Sequence, residues 1–553
     1  MTERENKMSP TDIIGYTAEE FTEAECAILE RYFTNTHLPV FAVRGLDEVV
    51  RAALFARYSR TELSLRRLFL TEFYEKLEEA EDVAPGAGAG LQRGTQLFDK
   101  VFSDYGDDSV AQLGGAHLAC EQASNLLTKI LEWGRLMGYL EQSTRYIRYD
   151  GTVNGRYRYY RDPEIMASPL AGRYVDVMDI TFQQYSWLLE QLMPLAEELY
   201  PRADGQSIPA WQASVRSKVL DNVRGLLPAA TISNLGIYGS GQSYEHLLLR
   251  MRAHPLPEAR AYAGMMLKEL RKVIPSFLQR VDLPDRGNAW SAYLEQNREA
   301  VNERADALLA DLTLEPTSSE VQLLDFDPDY EVKLVAAILA EQTHFSEVQL
   351  RRRVELMSHH EKLSILEAYF GDRSHNRRHK PGRQLEMVGY RFEILSDYGA
   401  FRDLQRHRML TMTWQTLTPV HGYIVPPLIE LSGLRGHYDA ALEAQAALFD
   451  ELRGVFPADA QPQYALGFAY RMRYAIQINA RALTHMVELR TQPAGHDDYR
   501  RVCQSIHEAV ENVAGHTAIA EMMRYADYER YDLGRIAAEQ RLEARRQAAL
   551  TED

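Results

Sequence analysis

Arg402 and Arg406 stand four residues apart, and Arg406 opens the run Arg406-His407-Arg408. On a helix that spacing stacks two cations on one face, which is unfavourable unless an anion lies between them. A phosphate suits the gap, because the guanidinium fork binds it bidentately. Asp403 and His407 share the same spacing, so a carboxylate can orient an imidazole there. The plainer alternative is a solvated basic helix end.

A second stretch reads Glu141-Gln142-Ser143-Thr144-Arg145-Tyr146. On an extended strand Glu141, Ser143 and Arg145 point to one face. A hydroxyl beside a guanidinium makes a phosphate clamp, and Glu141 can accept from a ribose hydroxyl or a base N–H. The alternative is a polar strand face with Tyr146 in the core. A third cluster holds Asn479, Arg481, His485, Glu488 and Arg490, with Arg481, His485 and Glu488 at helical steps of four and three. A surface helix laced with salt bridges explains these equally well. Glu245, His246, Arg250, Arg252 and His254 form an earlier counterpart, and Arg224 adds another cation.

The elements that must hold these groups read as an internal repeat. Residues 40–59 and 321–343 each show a short apolar run, an acidic turn and an amphipathic helical pattern. Each half continues with a long helical stretch, over about 115–139 and 385–408, the second of them partly strand. Polar, aromatic-rich sequence able to form strands follows, then helices carrying arginines. Periodicity breaks at Leu314-Glu315-Pro316-Thr317-Ser318-Ser319. The expected domains are therefore 1–316 and 317–553, in a helix-rich mixed α/β fold. Ala84-Pro85-Gly86-Ala87-Gly88-Ala89-Gly90 reads as a flexible loop, and the last charged helix, about 537–550, as solvated and peripheral.

Composition narrows the function. A net charge of -17 argues against nucleic-acid binding through a broad basic surface. Three cysteines, none at metal-ligand spacing, argue against a disulfide framework and favour a reducing compartment. No metal site is expected. The charged N-terminus has no apolar segment behind it, and no apolar run is long enough to cross a bilayer. A cytoplasmic protein without a membrane partner is expected.

Taken in order, these pieces resemble the flavin-dependent thymidylate synthases. That family carries an Arg-His-Arg run, then a Ser, an Asn-Glu pair and a Ser-x-Arg-Tyr ending. Here the later half keeps Arg406-His407-Arg408 and the earlier half keeps Ser143-Thr144-Arg145-Tyr146. Asn479-Ala480-Arg481 and Leu489-Arg490 resemble a later family segment, as does Pro257-Glu258-Ala259-Arg260. Arg224 with Leu227-Pro228 resembles its Arg-x-x-Leu-Pro element. Gly106-Asp107-Asp108-Ser109 and His379-Lys380-Pro381 resemble the Gly-His-x-Ser/Thr-Pro approach to the flavin.

The resemblance implies two tandem domains of this family and reductive methylation of dUMP to dTMP. FAD is the implied cofactor, with methylenetetrahydrofolate and NADPH as co-substrates. No protein nucleophile is needed, because the flavin carries the chemistry. By position, Glu141, Ser143, Arg145, Arg224, Arg250, Arg406 and Arg490 would bind the nucleotide. Ser109, His254, His379, Arg406, His407, Arg408, Asn479 and His485 would hold the flavin. The expected partners are a dUMP-like nucleotide and a folate. The expected assembly is a homodimer that mimics the family tetramer.

Neither half keeps a whole site. Trp133-Gly134-Arg135 stands where the earlier half should carry Arg-His-Arg. Thr413-Trp414-Gln415-Thr416-Leu417-Thr418-Pro419 replaces the Ser-x-Arg-Tyr region of the later half, and Gly239-Ser240-Gly241 replaces its Asn-Ala-Arg in the earlier one. The losses are complementary, so two readings stand. One is a composite site drawn from both halves. The other is a duplicated relative, inactive or altered in substrate, that binds nucleotide or flavin or serves a structural role.

Overall fold

The computed structural model describes residues 19–38, 41–58, 61, 63–74, 112–315, 319–456 and 460–551. The nine named strands are β1 (Gly115–Ser124), β2 (Met137–Glu141), β3 (Thr152–Val153), β4 (Arg156–Tyr157), β5 (Ile232–Ser240), β6 (Val321–Phe326), β7 (Gly389–Asp397), β8 (Leu410–Trp414) and β9 (Arg471–Asn479). They form sheets in the orders β1-β5-β2, β3-β4 and β6-β7-β9-β8. Helices make up most of the rest, so the fold is mixed α/β, as expected.

Alternation explains the second sheet. Tyr390, Phe392 and Ile394 of β7 are buried between the outward Arg391 and Glu393. Met472, Tyr474, Ile476 and Ile478 of β9 do the same. Antiparallel pairing from Gly389 opposite Asn479 to Asp397 opposite Arg471 brings the two apolar sets to one face. The other face is mostly polar, with Arg391, Glu393, Arg473 and Gln477, apart from Leu395 and Ala475.

The repeat is visible in the chain path. Four times a strand ends on a capping residue and turns into a helix. Ser124 caps Asn125–Leu131, Ser240 caps Gly241–Arg252, Asp397 caps Tyr398–Leu404 and Asn479 caps Ala480–Arg490. Each cap oxygen accepts a backbone N–H of the first turn, the first orphan donors of a helix. The order β1-β5-β2 is repeated by β7-β9-β8, with β6 added at the edge. The cap positions pair Asn479 with Ser240, one residue off the pairing read from the sequence.

Two helical expectations are corrected. Residues 115–139 are β1, a seven-residue helix and then β2, while 385–408 are a 3-10 turn, β7 and another seven-residue helix. Both stretches mix apolar residues at spacings of two and of three to four. Sheet pairing decides between the two periods, and no local signal does. The final helix, Ile536–Thr551, packs against Ile208–Val223 and is not simply solvated. Residues 84–90 lie outside the described residues.

The chain packs as two units. The first comprises Met1–Cys120, Leu136–Leu140 and Gly236–Ala310. Its helix Gly241–Arg252 lies so close to the 3-10 segment Pro275–Asp282 that a Cβ at Gly241 would come 2.5 Å from Phe277 Cβ. Only glycine fits there. The second unit comprises Glu121–Arg135, Glu141–Leu235 and Asp311–Asp553. Its core is built by the helices Ala171–Leu199 and Arg435–Arg453, with Tyr174, Phe182, Leu188, Tyr438, Leu442 and Phe449 fully or almost fully buried.

Within this second unit, counterparts of the repeat meet each other. Tyr398 donates its hydroxyl to the Asn125 carbonyl at 3.0 Å, joining the two seven-residue helices. The segment around Pro228 pairs with the one around Gly467: Ala229 N–H donates to Leu466 at 2.7 Å and Phe468 N–H to Leu227 at 3.0 Å. Trp133 and Trp414, each within a departure from the family pattern, touch edge to face at 5.3 Å between ring centroids. Equivalent surfaces meeting equivalent surfaces is the pattern of a two-fold interface, here within one chain.

Candidate functional site

A cleft of about 1320 Å³ opens in the second unit. One wall is the turn after the helix Tyr398–Leu404, which presents Arg406, His407, Arg408 and Met409. The opposite wall is the start of the helix Ala480–Arg490, with Asn479, Arg481, Ala482 and His485. Lys380 and Glu386 line a third side. The cap explains the second wall. Asn479 Oδ1 accepts the Ala482 N–H at 2.9 Å, which starts the helix at the end of β9 and turns its positive end toward the cleft.

His407 and His485 face each other at 5.8 Å between ring centroids. His407 Nε2 accepts from Arg490 Nε at 2.9 Å. Asp403 does not orient it, contrary to the four-residue spacing. Burial, then the Arg490 charge and His485, push the His407 pKa well down. Burial and nearby cations lower that of His485 too. Both rings are therefore neutral at pH 7. Arg481 donates to Glu386 at 3.0 Å, and Lys333 is paired with Asp327 at 2.8 Å. Lys380 makes no ion pair among the described residues.

Behind this cleft four of the predicted nucleotide ligands, Arg145, Arg224, Arg406 and Arg490, each meet an internal acid, and one of those acids is the predicted ligand Glu141. The Glu141 side chain is fully buried and accepts from Arg402 Nη2 at 2.9 Å and Arg406 Nη2 at 2.7 Å, with Lys129 Nζ at 3.3 Å. The anion between the two stacked arginines is thus a carboxylate of the chain. Arg145 binds Asp221 in a fork at 2.8 and 2.7 Å and donates to the Tyr499 hydroxyl at 2.9 Å. Arg224 and Arg490 flank Asp403. Burial opposes the charge on Glu141, Asp221 and Asp403, yet the surrounding cations hold all three well below the usual carboxylate range. Their stabilisation is complete above the unfolded carboxylate pKa of about 4 and is lost as pH falls below it.

Ser143 sits in a turn after β2, where its hydroxyl accepts the Arg145 N–H at 3.2 Å. The alternation drawn for an extended strand does not hold, and Tyr146 is exposed. Glu488 turns from Arg481 and His485 to a buried fork with Arg373 at 2.8 and 2.7 Å. Arg250 and His254 belong to the first unit and do not line the cleft. Burial, with Arg298 and Arg260, lowers the His254 pKa to about 4. His379 is exposed beside Lys380, and Ser109 lies outside the described residues. Lys380, Arg481 and Glu386 line the cleft without having been assigned to a site. The signal for the first two was their place inside His379-Lys380-Pro381 and Asn479-Ala480-Arg481.

Asp397 behaves in the opposite sense to the other acids. Burial, then the Asp498 carboxylate, push its carboxyl up to about 8. The fold therefore holds this proton, and stability drains away as pH rises from about 4 to about 8. Asp397→Asn keeps a capping oxygen and removes the charge. Its advantage over wild type in urea unfolding should grow across that window, by on the order of 1 kcal/mol per pH unit at most. A difference that is flat with pH would show that Asp397 is ionised throughout.

The sequence model of the family described as thymidylate synthase complementing protein matches residues 46–276 and 322–515. A UPF0159 protein of Chlamydia pneumoniae is 39% identical over 532 residues, covering 95% of this chain and 98% of its own length. One from Chlamydia muridarum is 37% identical, covering 95% and 99%. One from Thermoplasma acidophilum is 30% identical, covering 89% and 98%. The solved UMP/dUMP methylase PolB from Streptomyces cacaoi, bound with 5-Br dUMP, covers 37% of this chain and 96% of its own. Its sequence identity is 16% and its TM-score 0.29. The chain belongs to the thymidylate synthase complementing protein family, the flavin-dependent thymidylate synthases. The family matches it twice in tandem. Among the described residues no helix is long and apolar enough to cross a membrane.

Proposed function

We propose that this chain is a flavin-dependent enzyme that reductively methylates a uracil ring, with FAD in the cleft and methylenetetrahydrofolate and NADPH as co-substrates. One observation carries the reading. Arg406-His407-Arg408 and the Asn479 to His485 segment, far apart in sequence, form the two walls of one cleft. The residues fit the cofactor. Lys380, Arg481 and the N-terminal end of the helix Ala480–Arg490 suit a pyrophosphate. The neutral His407 and His485 offer an uncharged wall for an aromatic ring system. A flavin bound there supplies the reducing equivalents for methylation. The chain binds and orients: Arg490 fixes the His407 ring, Glu141 fixes Arg406, and Met409 covers the rim.

The absorbance spectrum of the purified protein, before and after FAD is added, tests this. Flavin bands perturbed by a uracil ligand are expected. Arg481→Ala should weaken flavin retention roughly tenfold, and Arg406→Ala should do so at least as strongly. A colourless protein that acquires no flavin would sink the reading. Tight flavin binding in both variants would remove these residues from the site. A second reading, a relative with an altered substrate, is favoured by the neutralised arginines behind the cleft and by the Trp133–Trp414 contact. Turnover of dUMP and of deoxyuridine, measured side by side, separates the two.

A further inference from the structure

Arg535 is 6% exposed and makes no ion pair among the described residues. Its Nη1 donates to Ser217 Oγ at 3.4 Å, a long contact, while Nε and Nη2 are buried without a hydrogen-bond partner. The Tyr146 ring covers the guanidinium, with Cζ 4.3 Å from the ring centroid. A ring face attracts the charge but does not cancel it. Burial, then the Arg145 charge, lowers the Arg535 pKa. A guanidinium withdrawn from water without a counterion is strongly destabilising, so buried charges are normally paired.

Arg535 lines a cavity of about 30 Å³ between the helix Ile208–Val223 and the loops at Gly495 and Gly534. The loops pack tightly beside it: a Cβ on Gly534 would come 2.0 Å from the Pro493 carbonyl oxygen, so only glycine fits. One water needs roughly 10–15 Å³, so the cavity also has room for a halide. Lys218, Asp221 and Asp497 share its walls, and their charges are already committed. Lys218 holds Asp497 at 2.9 Å, and Arg145 holds Asp221 at 2.7 Å. Arg145, Lys218 and Arg535 therefore face only Asp221 and Asp497, which leaves one positive charge over. The Asp497 side chain is 50% exposed, so the Lys218–Asp497 pair marks the solvent side and a route in.

We propose that this cavity is a site for a monovalent anion of halide size, and that chloride bound there is the counterion of Arg535. A tetrahedral oxyanion is too large for it. The site joins three parts of the second unit. Arg535 stands at the start of the last helix, Ile536–Thr551, which packs on Ile208–Val223. Tyr146, stacked on Arg535, ends the Ser143 to Tyr146 run. Chloride therefore fastens the last helix to the segment that carries Arg145.

The test reads the thermal unfolding midpoint of the full chain in sodium chloride against sodium gluconate, an anion too large for the cavity, at equal ionic strength. Wild type should melt about 2 °C or more higher in chloride, with a gain that saturates as chloride rises. Arg535→Met keeps most of the stem and removes the charge. It should show no difference between the two salts, and in gluconate it should melt at least as high as wild type, because it buries no unpaired cation. A wild-type midpoint that is the same in both salts overturns the proposal. So does a chloride gain that Arg535→Met retains. If Arg535→Met does not fold, anomalous scattering from wild-type crystals grown in sodium bromide decides. A bromide peak in the cavity beside Arg535 is expected, and a cavity that holds only water overturns the proposal. No arm needs flavin or nucleotide, so a colourless protein would overturn the proposed function and leave this result standing.

Discussion

Glu141→Ala is expected to lower the free energy of unfolding by about 3–5 kcal/mol, the cost of leaving buried charges uncompensated. Arg402, Arg406 and Lys129 all point at this carboxylate, and its side chain is 0% exposed. Lys129 keeps Glu132, but Arg402, itself almost fully buried, has no other ion pair among the described residues. Two guanidinium groups one helical turn apart would then repel. Urea unfolding at neutral pH measures the loss. Glu141→Gln keeps the shape and removes only the charge, so most of the cost should remain. A variant as stable as wild type would mean that the three cations find solvent or another acid. A ligand role for Glu141 would then become the better account.

Arg145→Ala is the second large effect, of about the same size. Its fork holds Asp221 at 2.7 and 2.8 Å. Burial alone would raise the pKa of that acid, and Arg145 is the strongest of the groups that lower it. Without Arg145, Asp221 should take up a proton on folding. The variant should therefore gain stability relative to wild type as pH falls toward 4, a sign opposite to that of a surface arginine. Flavin binding should be unchanged. If Arg145→Ala instead folds as well as wild type and loses only nucleotide affinity, then the pairing with Asp221 yields to substrate and Arg145 is a clamp.

The residues of the site were legible in the sequence, and their partners were not. Arg406-His407-Arg408 and Asn479-Ala480-Arg481 are compact runs, so their chemistry shows at once. Glu141 meets Arg402 and Arg406 from 261 and 265 residues away, and Arg145 meets Asp221 and Tyr499 from 76 and 354 residues away. No periodicity encodes such a pairing. Asp403 shows the same limit from the other side. Its spacing to His407 suggested a local pair, but Arg224 and Arg490 outweigh that contact because two charges attract a carboxylate more than a neutral ring does. In the fold, the amphipathic helices that follow the acidic turns, Glu48–Tyr58 and Tyr330–Ala340, were readable. The strand-cap-helix units were not, because β1 does not alternate cleanly between buried and exposed residues and a seven-residue helix spans only about two turns.

The contacts between counterpart segments carry one more consequence. In a symmetric pair of identical chains, any substitution near the axis is made twice, and both copies must tolerate it. Here Trp133 faces Trp414, and each can change without the other. Every inherited change therefore falls on one side of the interface alone. That halves the burden of each mutational step and lets the two sides drift toward different chemistry. It also removes the safeguard of a duplicate, since a lesion at Glu141 or Arg406 has no second copy in the chain to complement it.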